Sequence, residues 1–157
     1  MKEDYWVIVV NPVAGRGRAV DMARDLMVNL KTCSNSVKMM LTEEHGHAEE
    51  IASHAVREGA TKIVACGGDG TVHEVVNGLM RDTNDNHEIA LGVLPAGRCN
   101  DLNYALEFPE DTDAIKYIPQ GIVKRIDLGR IGSRYFTTIA TLGFDSAVSQ
   151  YVDEGRP

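Results

Sequence analysis

Three short glycine-rich stretches hold the residues best suited to chemistry, and each follows an apolar run. They are Asn11-Pro12-Val13-Ala14-Gly15-Arg16-Gly17-Arg18, Cys66-Gly67-Gly68-Asp69-Gly70-Thr71 and Leu94-Pro95-Ala96-Gly97-Arg98-Cys99-Asn100-Asp101. Glycines let backbone N–H groups close on an anion, and a helix that starts at such a turn presents its positive end there. In the first stretch Arg16 and Arg18 add cations suited to charge-assisted contacts with phosphate. In the second, three glycines flank one carboxylate, so backbone passes beneath a nucleotide while Asp69 is held at the turn. An aspartate so placed takes Mg²⁺ or orders water around a transferring phosphoryl group. Thr71 is placed to cap the helix that follows. The third stretch offers Arg98 as a further cation, with Asn100 or Asp101 as N-cap of a short helix. The competing reading of each stretch is a tight turn and nothing more. No P-loop, no dinucleotide fingerprint after the first strand and no protein-kinase signature occurs.

Other reactive side chains read more plainly. His45 and His47 have no Cys or carboxylate pattern that completes a zinc site, and they are expected as exposed rings at a helix start. His73 and Glu74 lie one turn beyond the second glycine stretch, with a backbone contact to nucleotide expected of His73 and a hydrogen bond that steadies the turn expected of Glu74. Packing or surface roles serve equally well there, because first turns of helices favour acidic and polar residues. The polar run Asp82–His87 lacks the Gly and Glu positions of a calcium loop and reads as solvated. The methionines read as core filler. Cys33, Cys66 and Cys99 are odd in number and form no C-x-x-C pair, which predicts reduced thiols in a cytoplasmic setting.

The elements that must carry these turns alternate. Tyr5–Asn11, Ser36–Leu41, Lys62–Cys66 and Ala90–Leu94 read as strands. Between them lie helices over Ala19–Leu30, with a stripe of Val20, Ala23, Met27 and Leu30, and over Ala48–Val56, stopped by Gly59. Thr71–Met80 and a short segment near Asn100–Leu106 complete the helical set. Such alternation predicts a largely parallel, buried α/β sheet with helices on both faces, whose ligands sit beyond the carboxyl ends of the strands. Past Pro109 the texture changes. Asp111–Ile118 reads as a helix, then Ile122–Leu128 and Arg134–Ala140 as strands joined around Gly132-Ser133. Gly143–Val152 opens something new, so the expected division is an α/β unit over 1–120 and the start of a truncated β-rich domain over 121–157.

Length and charge narrow the function. A chain of 157 residues with 43% hydrophobic content buries a real core. A formal charge of -7 argues against non-specific nucleic-acid binding. The longest apolar runs, Trp6–Val10 and Ile63–Cys66, are far too short to span a bilayer, and no secretory signal opens the chain.

NPVAGRGRA, GGDGTVHEVVNGL and LGVLPAGRCNDLNYAL, in that order, resemble the diacylglycerol kinase catalytic domain, a family that includes sphingosine and ceramide kinases and soluble bacterial lipid kinases. The resemblance runs from about Val7 to Phe144, and IDLGRI with RYFTTIATLGFDS resembles that family's entry into its second domain. It implies a phosphofructokinase-like or NAD-kinase-like arrangement and ATP-dependent phosphorylation of a lipid hydroxyl with Mg²⁺. It also implies a cytoplasmic protein that meets its lipid transiently at a membrane, and leaves a homodimer open. The implied nucleotide positions are Asn11, Pro12, Val13, Ala14 and Gly15, then Thr42, then Gly67, Gly68, Asp69, Gly70, Thr71, Val72 and His73, and finally Arg98. At the last position the family commonly has Thr followed by a small residue, whereas this chain has Arg98-Cys99, so a threonine hydroxyl role is unavailable. Arg98 would act through its backbone N–H or bind phosphate directly. The resemblance places the general base and a structural Mg²⁺ site beyond residue 157, which predicts little lipid kinase activity from these residues alone. Two alternatives stand beside it. NAD kinases share the GGDGT turn, although NPVAG and LPAG-x-x-ND favour lipid kinases, and the Arg98-Cys99 pair motivates a non-catalytic regulatory module.

Overall fold

A computed structural model of the chain describes residues 4–82, 88–109, 111–120 and 123–140. Strands β1 (Tyr5–Val10), β2 (Ser36–Leu41), β3 (Lys62–Gly67) and β4 (Ala90–Pro95) form one sheet in the order β2-β1-β3-β4. Every neighbouring pair is parallel, with Val10 opposite both Leu41 and Cys66, and Cys66 opposite Leu94. Helices α1 (Arg18–Leu30), α2 (His47–Arg57), α3 (Asp69–Asp82), α4 (Asp101–Ala105) and α5 (Asp111–Tyr117) carry the connections.

The sheet is apolar on both faces because successive strand residues point to opposite sides. Val7, Val9, Ile63, Ala65 and Val93 pack against α2 and α3, while Trp6, Ile8, Val10, Val64, Cys66 and Leu94 pack against α1 and α5. A sheet covered in this way explains why the central strands read as continuous apolar runs and not as alternating ones. The expected α/β class with helices on both faces is what the chain forms. The methionines follow the expected pattern in part: Met22 is buried, Met27, Met39 and Met80 are half-buried, and Met40 is exposed.

Several boundaries differ from the sequence reading. The buried stripe of α1 is Ala19, Met22, Ala23, Leu26 and Leu30, with Val20 and Met27 only half-buried, so the helix is rotated by about one position. Helix α3 begins at Asp69, two residues earlier than expected, which places Thr71 inside the helix instead of at its cap. The hairpin does turn at Gly132-Ser133, but its strands β5 (Gly129–Ile131) and β6 (Arg134–Phe136) are short. Residues 123–128 form no strand: 123–127 are exposed, with Lys124, Arg125 and Asp127 among them favouring water over a ladder, and only Leu128 turns toward the core. The expected elements at Gly143–Val152, and most of the polar run ending at His87, lie outside the described residues.

Candidate functional site

The connection from β1 to β2 runs to one side of β1, and β3 lies on the other side. This reversal makes the carboxyl ends of β1 and β3 the topological switch point, where open α/β sheets leave a crevice for ligand. Asn11 and Gly67 stand at that point. Asn11 N–H donates to the Cys66 carbonyl at 2.9 Å, Thr42 N–H to Val10 O at 2.8 Å, and Ala96 N–H to Gly67 O at 2.8 Å. Strand order was the part of this placement that the sequence did not disclose, since local periodicity carries no information about which strands neighbour one another.

The three glycine stretches touch. A Cβ on Gly15 would stand 2.9 Å from the Ala96 carbonyl oxygen, and one on Gly68 would stand 3.2 Å from the Gly97 Cα. The first stretch opens with Asn11, whose Oδ1 accepts the Val13 N–H at 3.1 Å and whose Nδ2 donates to Thr71 Oγ1 at 3.4 Å. Pro12 and Ala14 are half-buried and Val13 is exposed. The backbone then takes left-handed angles at Gly15 (φ 59), Arg16 (φ 60) and Gly17 (φ 91) before α1 begins. Val72, on the buried side of α3, is core; its expected nucleotide role is limited to its backbone.

Asp69 joins the second and third stretches. Its Oδ2 accepts the Asn100 N–H at 3.0 Å and its Oδ1 accepts the Asp101 N–H at 2.7 Å. The Asn100 side chain meanwhile accepts the Gly97 N–H at 3.0 Å, with Asn100 itself at φ 54 and making no side-chain cap to α4. The expected capping role of Asn100 or Asp101 is therefore replaced by loop closure. Among the described residues, one group has metal-ligand spacing: the ligand atoms of Asp69, Cys99 and Asp101 lie within 4.8 Å of one another. Two carboxylates suit a hard cation such as Mg²⁺, whereas the thiol does not. Sequence reasoning treated Asp101 only as a cap; an acid beside the third glycine stretch was the available signal. Arg16 and Arg98 are both exposed at this rim.

An open cleft of about 390 Å³ adjoins Asp69, with His73 and Glu74 on the α3 wall and Arg134, Phe136 and Thr138 opposite. His73 is half-buried, and that burial, reinforced by the Arg134 charge, pushes its imidazole below the usual histidine range. Glu74 does not steady the glycine turn: its Oε2 accepts the Ala48 N–H at 3.1 Å and so caps α2. His45 is fully exposed, with Nε2 3.7 Å from Glu74, while His47 Nδ1 accepts the Glu43 N–H at 3.1 Å. Cys33, Cys66 and Cys99 are all free thiols. Cys66 is buried, its thiol pushed up to about 12 by desolvation and directed at the Ala19 carbonyl, which leaves it inert.

Residues 5–131 match the Diacylglycerol kinase catalytic domain. The chain belongs to that family. A diacylglycerol kinase of Staphylococcus saprophyticus is 33% identical over 143 residues, covering 90% of this chain and 46% of that protein. A protein of Chromohalobacter salexigens named "Probable lipid kinase YegS-like" is 30% identical over 147 residues, covering 93% of this chain and 46% of that one. The crystal structure of a diacylglycerol kinase from Bacillus anthracis superposes with a TM-score of 0.75 at 28% identity, over 87% of this chain and 46% of its own. This diacylglycerol kinase family chain thus spans less than half the length of these relatives. No helix among its described residues is long and apolar enough to cross a membrane.

Proposed function

We propose that this chain is the nucleotide-binding portion of an ATP-dependent lipid kinase that transfers the γ-phosphate to a hydroxyl of diacylglycerol or a related lipid. The observation that carries the reading is the convergence of three glycine stretches at the switch point, with two carboxylates of metal-ligand spacing beside them. The first and second glycine stretches would cradle the phosphates, chiefly through the N–H groups at the start of α3 that the helix itself does not use, with Thr42 just beyond β2 and Arg98 as a charged contact. Asp69 and Asp101 would hold Mg²⁺, which neutralises charge on the phosphates when bound. In the transfer the lipid hydroxyl oxygen bonds the γ-phosphorus, the bond to the β-phosphate oxygen breaks, and ADP leaves. The hydroxyl proton passes to a base that we place outside residues 1–157, so these residues alone are expected to bind nucleotide while turning over little lipid. The same reading puts the protein in the cytoplasm, touching a membrane transiently.

Calorimetry with ATP–Mg²⁺ tests the nucleotide site. Saturable binding that weakens at least tenfold in Asp69→Ala is the expected result. Asp69→Asn separates the two duties of this side chain, since its amide keeps one acceptor for the third stretch but loses the charge for the cation. No binding by a folded chain would overturn the reading. Phosphorylation of NAD in preference to diacylglycerol by a chain that includes the second half would move the assignment to the NAD kinases.

A further inference from the structure

The two walls of the cleft beside Asp69 come from different parts of the chain, and one buried side chain joins them. Asn77 on α3 is 4% exposed. Its Oδ1 accepts the Tyr135 N–H at 2.9 Å, and its Nδ2 donates to the Tyr135 carbonyl at 3.0 Å and to the His73 carbonyl at 2.8 Å. Both amide hydrogens are therefore used, and the orientation of the amide is set by a partner that offers one donor and one acceptor. In the antiparallel hairpin Tyr135 lies opposite Arg130. Alternate residues of such a ladder turn their N–H and C=O away from the partner strand. Tyr135 gives both groups to Asn77, so the carboxamide occupies the place of a peptide unit on a neighbouring strand. The Arg134–Glu49 ion pair, at 2.6 Å, reinforces the same junction from α2. Immediately beyond Tyr135 come Phe136, Thr137 and Thr138, which line the cleft opposite Asp69, His73 and Glu74.

We infer that Asn77 is a positioning residue for the acceptor side of the site, its carboxamide acting as a surrogate strand that fixes the β6 wall at a set distance from Asp69. The inference rests on the lipid kinase reading for what enters the cleft, but not for the geometry it describes. Of the residues assigned to the nucleotide cradle Asn77 meets only His73, and it takes the carbonyl there and not the N–H, so it sets the cleft without competing for the groups that would face phosphate.

The test is amide hydrogen exchange on the 157-residue chain, resolved by NMR at Tyr135, Thr137 and Thr138. Asn77→Leu fills the same buried volume but makes no hydrogen bond. It is expected to speed exchange at Tyr135 about thirtyfold, equivalent to about 2 kcal/mol at 1.4 kcal/mol per tenfold. Amides of β1 and β3 and the buried Trp6 emission should stay as in the parent, and ATP–Mg²⁺ affinity should stay within about twofold. Asn77→Asp keeps the acceptor for the Tyr135 N–H and is expected to hold that amide within about threefold of the parent, a rescue that packing alone would not produce. Where Leu prevents folding, Asn77→Ser carries the same expectation as Leu. Tyr135 exchange unchanged in folded Leu or Ser variants overturns the inference, as does loosening spread evenly over β1 and β3. Failure of the parent chain to bind ATP–Mg²⁺ would count against the kinase reading, and Tyr135 exchange would still decide this one.

Discussion

Arg16 stands between two glycines at φ 60, in the left-handed region that a side chain enters at a cost of about 1–2 kcal/mol. A glycine there would escape that cost but would give back roughly 0.4–1 kcal/mol through the larger entropy of its unfolded state. Arg16→Gly is therefore expected to raise the unfolding free energy by about 0.5–1 kcal/mol in urea titrations followed through Trp6. It should weaken ATP–Mg²⁺ binding several-fold in calorimetry, because a cation is lost from the rim; tighter binding would show that Arg16 opposes the ligand. Strain kept at a candidate site in this manner is how function overrides local preference. His73 offers a second prediction at this scale. Burial and the charges of Arg134 and His45 hold its folded pKa below the unfolded value near 6.5, against the opposing pull of Glu49 and Glu74. As pH falls through about 6.5 the unfolded chain takes up the proton first, so this residue lowers stability toward acid and is neutral in effect above that window. A His73→Gln variant should lose part of the fall in urea midpoint between pH 7 and pH 5; an unchanged fall would assign the slope to other groups.

At the scale of elements, the helical and strand periods were legible, and the failures fall where a contact outside the element decides. Tyr5–Val10 and the stop at Gly59, where φ is 88, follow directly from β-branched composition and from the left-handed residue that ends a helix. Three glycine stretches at strand ends were equally legible, because each follows directly on an apolar run. The start of α3 was not, since Asp69 gives its carboxylate to the backbone of the third stretch, 31 and 32 residues away. The role of Glu74 stayed open for the same reason: its partner, Ala48, belongs to another helix. Gly78 shows the limit most clearly. Nothing near it in sequence marks it, yet α2 passes so close that an added Cβ would run into the Glu49 carbonyl and Ala52. Overpacking of a close helix crossing costs roughly 1–3 kcal/mol. Gly78→Ala is expected to destabilise by about 2 kcal/mol in urea unfolding. It should also disturb the Arg134–Glu49 junction, read as faster exchange at the Tyr135 amide; a neutral substitution would mean that the two helices can part without loss.

For the whole molecule, charge sets how a chain with no membrane-crossing helix among its described residues meets a lipid. The formal charge is -7, and an anionic leaflet attracts basic segments by about 1 kcal/mol per Lys or Arg while repelling net acid. Exposed apolar side chains are spread along the chain: Val13 and Val123 lie in loops, Met40 on β2 and Tyr104 on α4. Co-sedimentation with neutral vesicles is therefore expected to show little binding. Replacing about a third of the neutral lipid with an anionic one should not raise it at low salt. The opposite result, binding that grows with anionic lipid and fades with salt, would require a local basic face strong enough to outweigh the net charge. The cations exposed around the glycine stretches, Arg16, Arg18 and Arg98, would be the first place to look for it. Those same side chains border the proposed phosphate cradle, so ATP–Mg²⁺ should then displace the vesicles. Binding that resists ATP–Mg²⁺ would place the lipid contact on another surface, away from the site of transfer.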